Sequence, residues 1–200
     1  MTYIMRFDGL YRRFQDERRP NDTAGLLCFG WLIYRNEVVI AQGHGVFARN
    51  KGASSNVAEY VALVEGLDAM GDLGLEDQSI KVFGDAKSVI DQMVGIASVS
   101  SETIWPLYMH ARQLANHFPN INWGWTPRRF NKAADSLTRR AMRQIHSDQR
   151  TYQTALKAAK NDSGRWRQSA KLLPLIDLRI YQPAYQVGLV SGNPSFLPIF

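Results

Sequence analysis

A single cysteine, Cys28, is the whole thiol complement of this 200-residue chain. No disulfide can form within it and no multi-cysteine zinc site can be built; Cys28 lies in an apolar run, the setting of a small core residue. Long apolar stretches are equally scarce, and none approaches the roughly 18–20 residues of a membrane span. Met1 to Asp8 holds no apolar stretch long enough for a signal peptide, so a cytoplasmic protein with no membrane partner is expected. Internal repeats and low-complexity tracts are also missing. What is there is the composition of a globular protein, 45% hydrophobic and 21% charged. The length suits one domain of ordinary size plus an appendage, not two large domains. A net charge of +6 bears on partners rather than on fold, and suits nucleic acid, an acidic protein or anionic lipid.

Hydrophobic patterning predicts the order β-β-β-α-β-α-α-β-α. Thr2 to Phe7 reads as a short strand ending at Asp8, and the charged stretch Gly9 to Ala24 as an exposed loop. Gly25 to Tyr34 and Val38 to Phe47 are β-branched and aromatic runs flanking Arg35-Asn36-Glu37, a hairpin signal. Ser54 or Ser55 can cap a helix in which Ala58, Leu63, Leu67 and Met70 recur at helical spacing, stopping near Gly71 to Gly74. Ser79 to Gly84 forms a strand, Ala86 to Met93 a brief helix, and Ile104 to Phe118 a helix with Pro106 in its first turn. Ile121 to Trp125 is a strand and Lys132 to Ile145 a helix. The implied fold class is α/β. Its five-stranded mixed sheet has its first three strands antiparallel and the later ones parallel, with helices on both faces.

From about His146 the character changes, which divides the chain into a domain of residues 1–146 and an extension of 147–200. Asp148 to Lys160 suits a helix, and Gly164 to Leu173 a second. Beyond Pro174 the tail is rich in Pro, Tyr, Gln and Gly, with apolar residues but no clear period. Its Ile176, Leu178, Ile180, Tyr181, Tyr185, Phe196 and Phe200 are too many for a disordered composition. The tail is expected to lie on its own domain or on a partner, a second copy included.

Four acids stand where this layout could do chemistry: Asp8 at the end of the first strand, Glu59 one turn into the first long helix, Asp85 after Val82-Phe83-Gly84, and Asp135 in the first turn of the last core helix. Each has an ordinary structural role open to it. Asp8 can serve a turn, Asp85 an N-cap, Asp135 the helix dipole, and Glu59 a solvated helix face. Asp8 and Asp85 nevertheless emerge directly from apolar strands. If they converge, two like charges ~4 Å apart repel by about 4 kcal/mol at an effective dielectric near 20. Such a cluster takes up protons or binds cations. Oxygen ligands without a cysteine or histidine cluster point to Mg²⁺, with Mn²⁺ as a substitute.

The segments around these acids resemble type 1 ribonucleases H. Gly52-Ala53-Ser54-Ser55-Asn56-Val57-Ala58-Glu59-Tyr60-Val61-Ala62-Leu63 is similar to the family's segment around its glutamate. Val82 to Ile90 is similar to the turn bearing its third acid, and Trp125 to Leu137 to the loop and helix bearing its fourth. With Phe7-Asp8-Gly9 they match in order, over about Thr2 to Ile145. The resemblance implies a ribonuclease H-like fold and an endoribonuclease that cuts the RNA strand of RNA–DNA hybrids. It would use two Mg²⁺ ions and leave 3′-hydroxyl and 5′-phosphate ends. It implies Asp8, Glu59, Asp85 and Asp135 as catalytic metal ligands, with Asp8 bridging both ions and Glu59 near the scissile phosphate and the 2′-hydroxyl. Ser54, Ser55 and Asn56 would contact the nucleic-acid backbone, where serine hydroxyls and free N–H groups at a helix start suit phosphate.

Three departures accompany the likeness. The turn after Asp8 is Gly9-Leu10-Tyr11-Arg12-Arg13 instead of a glycine- and asparagine-rich one. No histidine lies between Phe118 and Asp135, where Arg128 and Arg129 stand; arginine binds phosphate but cannot shuttle a proton near neutral pH. No basic, tryptophan-rich protrusion lies between Asp85 and Ile121, as in the compact members. Grip on the substrate then falls to Arg128, Arg129 and Lys132, with Arg139, Arg140 and Arg143 beyond them. Two other readings stay open: a related metal nuclease acting on double-stranded RNA or structured DNA, and a nucleic-acid-binding subunit docked through its tail.

Overall fold

The computed structural model describes residues 2–14, 24–49, 51–148, 150–154, 157 and 173–182. Its strands are β1 (Thr2–Arg13), β2 (Gly25–Arg35), β3 (Val38–Arg49), β4 (Ser79–Gly84), β5 (Ile121–Trp125) and β6 (Leu173–Tyr181). The helices are α1 (Ser55–Asp72), α2 (Lys87–Met93), α3 (Trp105–Ala115) and α4 (Lys132–Ser147), with a 3₁₀ turn at Arg128–Phe130. The sheet order is β5-β4-β1-β2-β3-β6. β1, β2 and β3 pair antiparallel, and β4 pairs in parallel with both β1 and β5. The β2–β3 turn holds Asn36 and Glu37 at positive φ (48° and 67°), matching the right-handed twist of a tight hairpin.

Alternation along the strands divides the core between the two faces. Met5, Phe7, Leu27, Phe29 and Trp31 join Tyr60, Leu63 and Leu67 of α1 in the larger cluster. Leu26, Cys28, Val46 and Ala48 pack with Ala141 and Ile145 of α4 on the other face. β2 is therefore buried over Gly25–Ile33, as a central strand covered on both sides must be.

Two expectations need correction, and a third falls almost wholly outside the described residues. The first strand does not end at Asp8. β1 continues to Arg13, because Gly9 to Arg13 pair with Phe29 to Gly25 in a long hairpin that satisfies their backbone groups. Of the expected loop, residues 15–23 lie outside the described residues. The sheet has six strands, not five: Leu173–Tyr181 adds antiparallel to the edge of β3. The suggested second tail helix falls on 164–172, outside the described residues, with its last residue opening β6. Residues 150–154 and 157 are helical, as the 148–160 reading has it.

β6 is held from one side by charge. Arg179 donates to Glu65 (2.8 Å), Asp68 (2.8 Å) and Asp72 (3.0 Å), an acidic stripe at three- and four-residue spacing on α1. The Tyr181 hydroxyl donates to Asp72 at 2.7 Å. Burial raises the pKa of Glu65, and Arg179 works against that rise. Removing the guanidinium leaves a half-buried carboxylate among other acids. Arg179→Ala should lower stability by about 1–2 kcal/mol, or roughly 3–6 °C in a chain of this size. A melt unchanged from wild type would show that strand pairing alone holds β6.

Candidate active site

β1 and β4 run in parallel as far as the pair Arg6–Phe83. Two residues farther along each chain stand Asp8 and Asp85, at the point where β4 ends and β1 goes on into its hairpin. Glu59 arrives from above this point because α1 sits directly on β1. A Cβ built on Gly9 would lie 2.2 Å from the Glu59 amide nitrogen and 2.3 Å from the Ala58 carbonyl carbon. Only glycine permits that approach. One oxygen from each of Asp8, Glu59 and Asp85 then lies within 4.8 Å of the other two.

Two of the three carboxylates are poorly hydrated, and Asp85 is partly exposed. Asp8 is 2% exposed and Glu59 7%. Glu59 Oε2 is buried and has no hydrogen-bond partner among the described residues. Burial, then the charge of Asp85, raises the pKa of Asp8 from an ordinary 3.8 to about 7. Burial, then the charges of Asp8 and Asp85, pushes Glu59 in the same direction, against a hydrogen bond from the Gly9 backbone. Hard oxygen ligands, mutual repulsion and an orphaned buried carboxylate oxygen fit a divalent cation of the Mg²⁺ or Mn²⁺ kind.

Asp135 stands beside this trio rather than in it. It is near enough to raise the pKa of Asp8, but both its oxygens are engaged. Arg128 Nη2 donates to Oδ1 and Arg139 Nε to Oδ2, each at 2.6 Å. Burial pushes the Asp135 pKa up, yet these two hydrogen bonds and their charges outweigh it and hold the carboxyl below its ordinary value.

Placement excludes the ordinary role for three of these acids, while Asp135 does lie in the first turn of α4. Asp8 lies within a strand, not a turn. Asp85 does not cap α2, whose N-cap is Ala86 without a side-chain cap bond. Glu59 faces the core, not solvent.

The remaining sequence-derived candidates flank the trio on two sides. Ser54 caps α1, its hydroxyl accepting from the Val57 amide at 3.3 Å, while Ser55 and Asn56 are exposed. Asn56 accepts from the Ser88 hydroxyl at 3.3 Å. Arg128, Arg129 and Lys132 are exposed on the turn and first residue that lead into α4. Trp125 donates from Nε1 to the Asp85 carbonyl at 3.0 Å, and its ring is half exposed.

Two residues escaped the sequence reading. Asn131, fully buried, donates to the Phe7 carbonyl at 2.8 Å, and Thr138, also fully buried, donates to Asp8 Oδ2 at 3.0 Å. Asn131 carried a weak signal as an N-cap type of residue before α4. Thr138 carried none, because which face of α4 meets β1 is not written in a local pattern.

With the geometry in place, likeness to known proteins becomes informative. Residues 23–141 match the family described as reverse transcriptase-like. The chain belongs to this family. Within it, the likeness is to type 1 ribonucleases H. The bifunctional protein Rv2228c of Mycobacterium tuberculosis is 36% identical over 107 residues, 54% of this chain and 28% of that protein. The structure of its N-terminal RNase H domain, fused to maltose-binding protein, superposes with a TM-score of 0.60 at 28% identity, over 79% of this chain and 98% of that one. Ribonuclease HI of Halobacterium salinarum is 29% identical over 119 residues, 59% of this chain and 57% of that protein. The chain thus spans only part of the length of these curated relatives. The family match begins beyond β1, so Asp8 joins the site through the sheet and not through the matched segment.

Proposed function

We propose that this chain is an endoribonuclease that hydrolyses the RNA strand of RNA–DNA hybrids with the help of divalent cations, giving 3′-hydroxyl and 5′-phosphate ends. The observation that carries the proposal is the convergence of Asp8, Glu59 and Asp85 from three separate elements to within 4.8 Å, two of them buried. Relatives named ribonuclease HI and RNase H domain support it. Asp8, Glu59 and Asp85, joined by Asp135, are the residues that would hold two Mg²⁺ ions, with Mn²⁺ able to substitute. When bound, a pair of such ions supplies an activated water and stabilises charge on the leaving oxygen of an in-line displacement.

The chain's own residues do the rest. The apolar walls around Asp8 and Glu59 keep bulk water away and strengthen every electrostatic contact. Glu59 would lie near the scissile phosphate and the ribose 2′-hydroxyl, the group that separates RNA from DNA at a site. Ser54, Ser55 and Asn56 would take backbone phosphates at the start of α1. Arg128, Arg129 and Lys132 would take phosphates on the α4 side, where arginine's planar fork suits them. In this reading residues 1–146 are the catalytic unit of a cytoplasmic protein, and 147–200 an extension whose strand covers the β3 edge.

The test is cleavage of labelled RNA–DNA hybrid, double-stranded RNA and double-stranded DNA, each with Mg²⁺ or Mn²⁺. Selective cutting of the hybrid's RNA strand is expected, with affinity that falls steeply as salt rises. Cutting of double-stranded RNA or DNA instead would reassign the substrate. Binding without any cutting would make the chain a nucleic-acid-binding subunit.

A further inference from the structure

Beneath the carboxylate trio, α4 approaches β2, the neighbour of β1, more closely than side chains normally allow. The approach depends on Gly30, which pairs with Asp8 across the β1–β2 ladder. A Cβ at Gly30 would lie 2.7 Å from Leu137 Cβ, 2.8 Å from the Ala134 carbonyl oxygen and 3.1 Å from the Thr138 amide nitrogen. With no side chain there, α4 rests on the strand and touches β1 at two successive residues. Asn131 holds the Phe7 carbonyl, and about two helical turns on, Thr138 reaches the Asp8 carboxylate.

Thr138 also lies 2.8 Å from the Asp135 carbonyl oxygen, the back-bond a helical threonine commonly makes. A hydroxyl has one hydrogen and can serve only one of these acceptors at a time. The Asp135 carbonyl has the helix N–H four residues on as its ordinary partner. A charged Asp8 makes the stronger, charge-assisted acceptor. The back-bond by itself would account for a threonine anywhere on α4. It does not account for a fully buried hydroxyl 3.0 Å from a carboxylate in the candidate site.

We propose that Thr138 is a positioning residue: its hydroxyl fixes the plane of the Asp8 carboxylate so that the remaining lone pairs face Glu59 and Asp85 and receive a divalent cation together with them. The inference rests on the nuclease reading above and adds a residue that acts only through Asp8. An ionised carboxylate has about four acceptor positions. Thr138 occupies one and removes the freedom of the group to swing about its last torsion. Through the same helix it couples Asp8 to Asp135, because the residue that holds one acid lies one turn from the other.

The experiment is calorimetric titration of the metal-free full chain with Mn²⁺, for wild type, Thr138→Val and Thr138→Ser, with melts in chelator alongside. Valine keeps the shape of threonine and removes the hydroxyl; serine restores the hydroxyl and removes the methyl. Thr138→Val should bind Mn²⁺ about tenfold more weakly, the usual scale for losing a group that orients a metal ligand. Thr138→Ser should return to within about twofold of wild type, even though its lost methyl lowers the melt. Wild-type affinity in Thr138→Val, or a serine variant as weak as the valine one, would overturn the assignment. A wild type that binds Mn²⁺ but cuts no hybrid would remove the nuclease reading and leave Thr138's role to be decided by the titration. A wild type that binds no Mn²⁺ would overturn both.

Discussion

Asp85→Asn is expected to lower hybrid cleavage about a thousandfold while the protein stays folded. Asparagine keeps the size of the side chain and one oxygen, but removes a unit charge from a group of three. A charge ~4 Å from a cation is worth about 4 kcal/mol at an effective dielectric near 20, and each ~1.4 kcal/mol is a factor of ten in rate. The fold should not suffer. Asp85 caps no helix, and its backbone carbonyl, held by Trp125, is untouched by the change. In chelator the variant should melt slightly higher than wild type, because repulsion with Asp8 and Glu59 is relieved. Single-turnover cleavage of labelled hybrid in Mg²⁺ is the measurement. Activity near wild type would mean that Asp85 holds no cation and that the site is assigned wrongly.

The metal-free protein should lose stability as pH rises from 6.5 to 8, and Mg²⁺ should abolish that loss. The sign follows from Asp8. Its folded pKa, about 7, lies above the ordinary 3.8, so the folded state holds a proton that the unfolded chain has released. The resulting stabilisation is full below the unfolded value and disappears as pH rises through the folded one. For Asp8 alone this amounts to about 1 kcal/mol across the window, or roughly 2–4 °C. Glu59 is shifted the same way and adds to the fall.

Other shifted groups do not cancel it. The depressed pKa of Asp135 gives stability that is lost only in acid, near and below its ordinary value. His44, whose pKa burial lowers, gains stability up to and a little above its ordinary 6.5, so it offsets part of the fall at the start of the window and nothing near pH 8. Melts in chelator at pH 6.5, 7.2 and 8 test the prediction, with Asp8→Asn as the control that should flatten the slope. A cation binding only the folded state stabilises it by mass action and supplies the charge that the carboxylates lack. A flat profile in chelator would show that Asp8 is ionised without help.

The core elements were legible because period and punctuation agree along most of the chain. Strand β4 and its Asp85, the β2–β3 hairpin with its Asn36 turn, and the Ser54 cap of α1 each carry their own local signature. β6 does not. In Leu175-Ile176-Asp177-Leu178-Arg179-Ile180-Tyr181 the charged Arg179 points toward the protein, because an acidic stripe on another helix waits for it. A pattern that places charge outward cannot find such a strand. The extension of β1 past Asp8 was hidden for a related reason: Gly9 to Arg13 resemble a loop until Gly25 to Phe29 lie opposite them.

By itself, then, the sequence determined the α/β class, the element order through α4 and the four acids worth watching, since each depends on local spacing and on motifs a few residues long. The tertiary structure decided how those acids stand to one another. Two glycines let two helices close on the sheet from opposite faces, α1 over Gly9 of β1 and α4 over Gly30 of β2, which buries Asp8 and Glu59 beside Asp85 and brings Thr138 to Asp8. It also left Asp135 outside the trio, in the grip of Arg128 and Arg139. Distances of this kind come from residues far apart in the chain meeting without a side chain between them, and a one-dimensional pattern carries no measure of that.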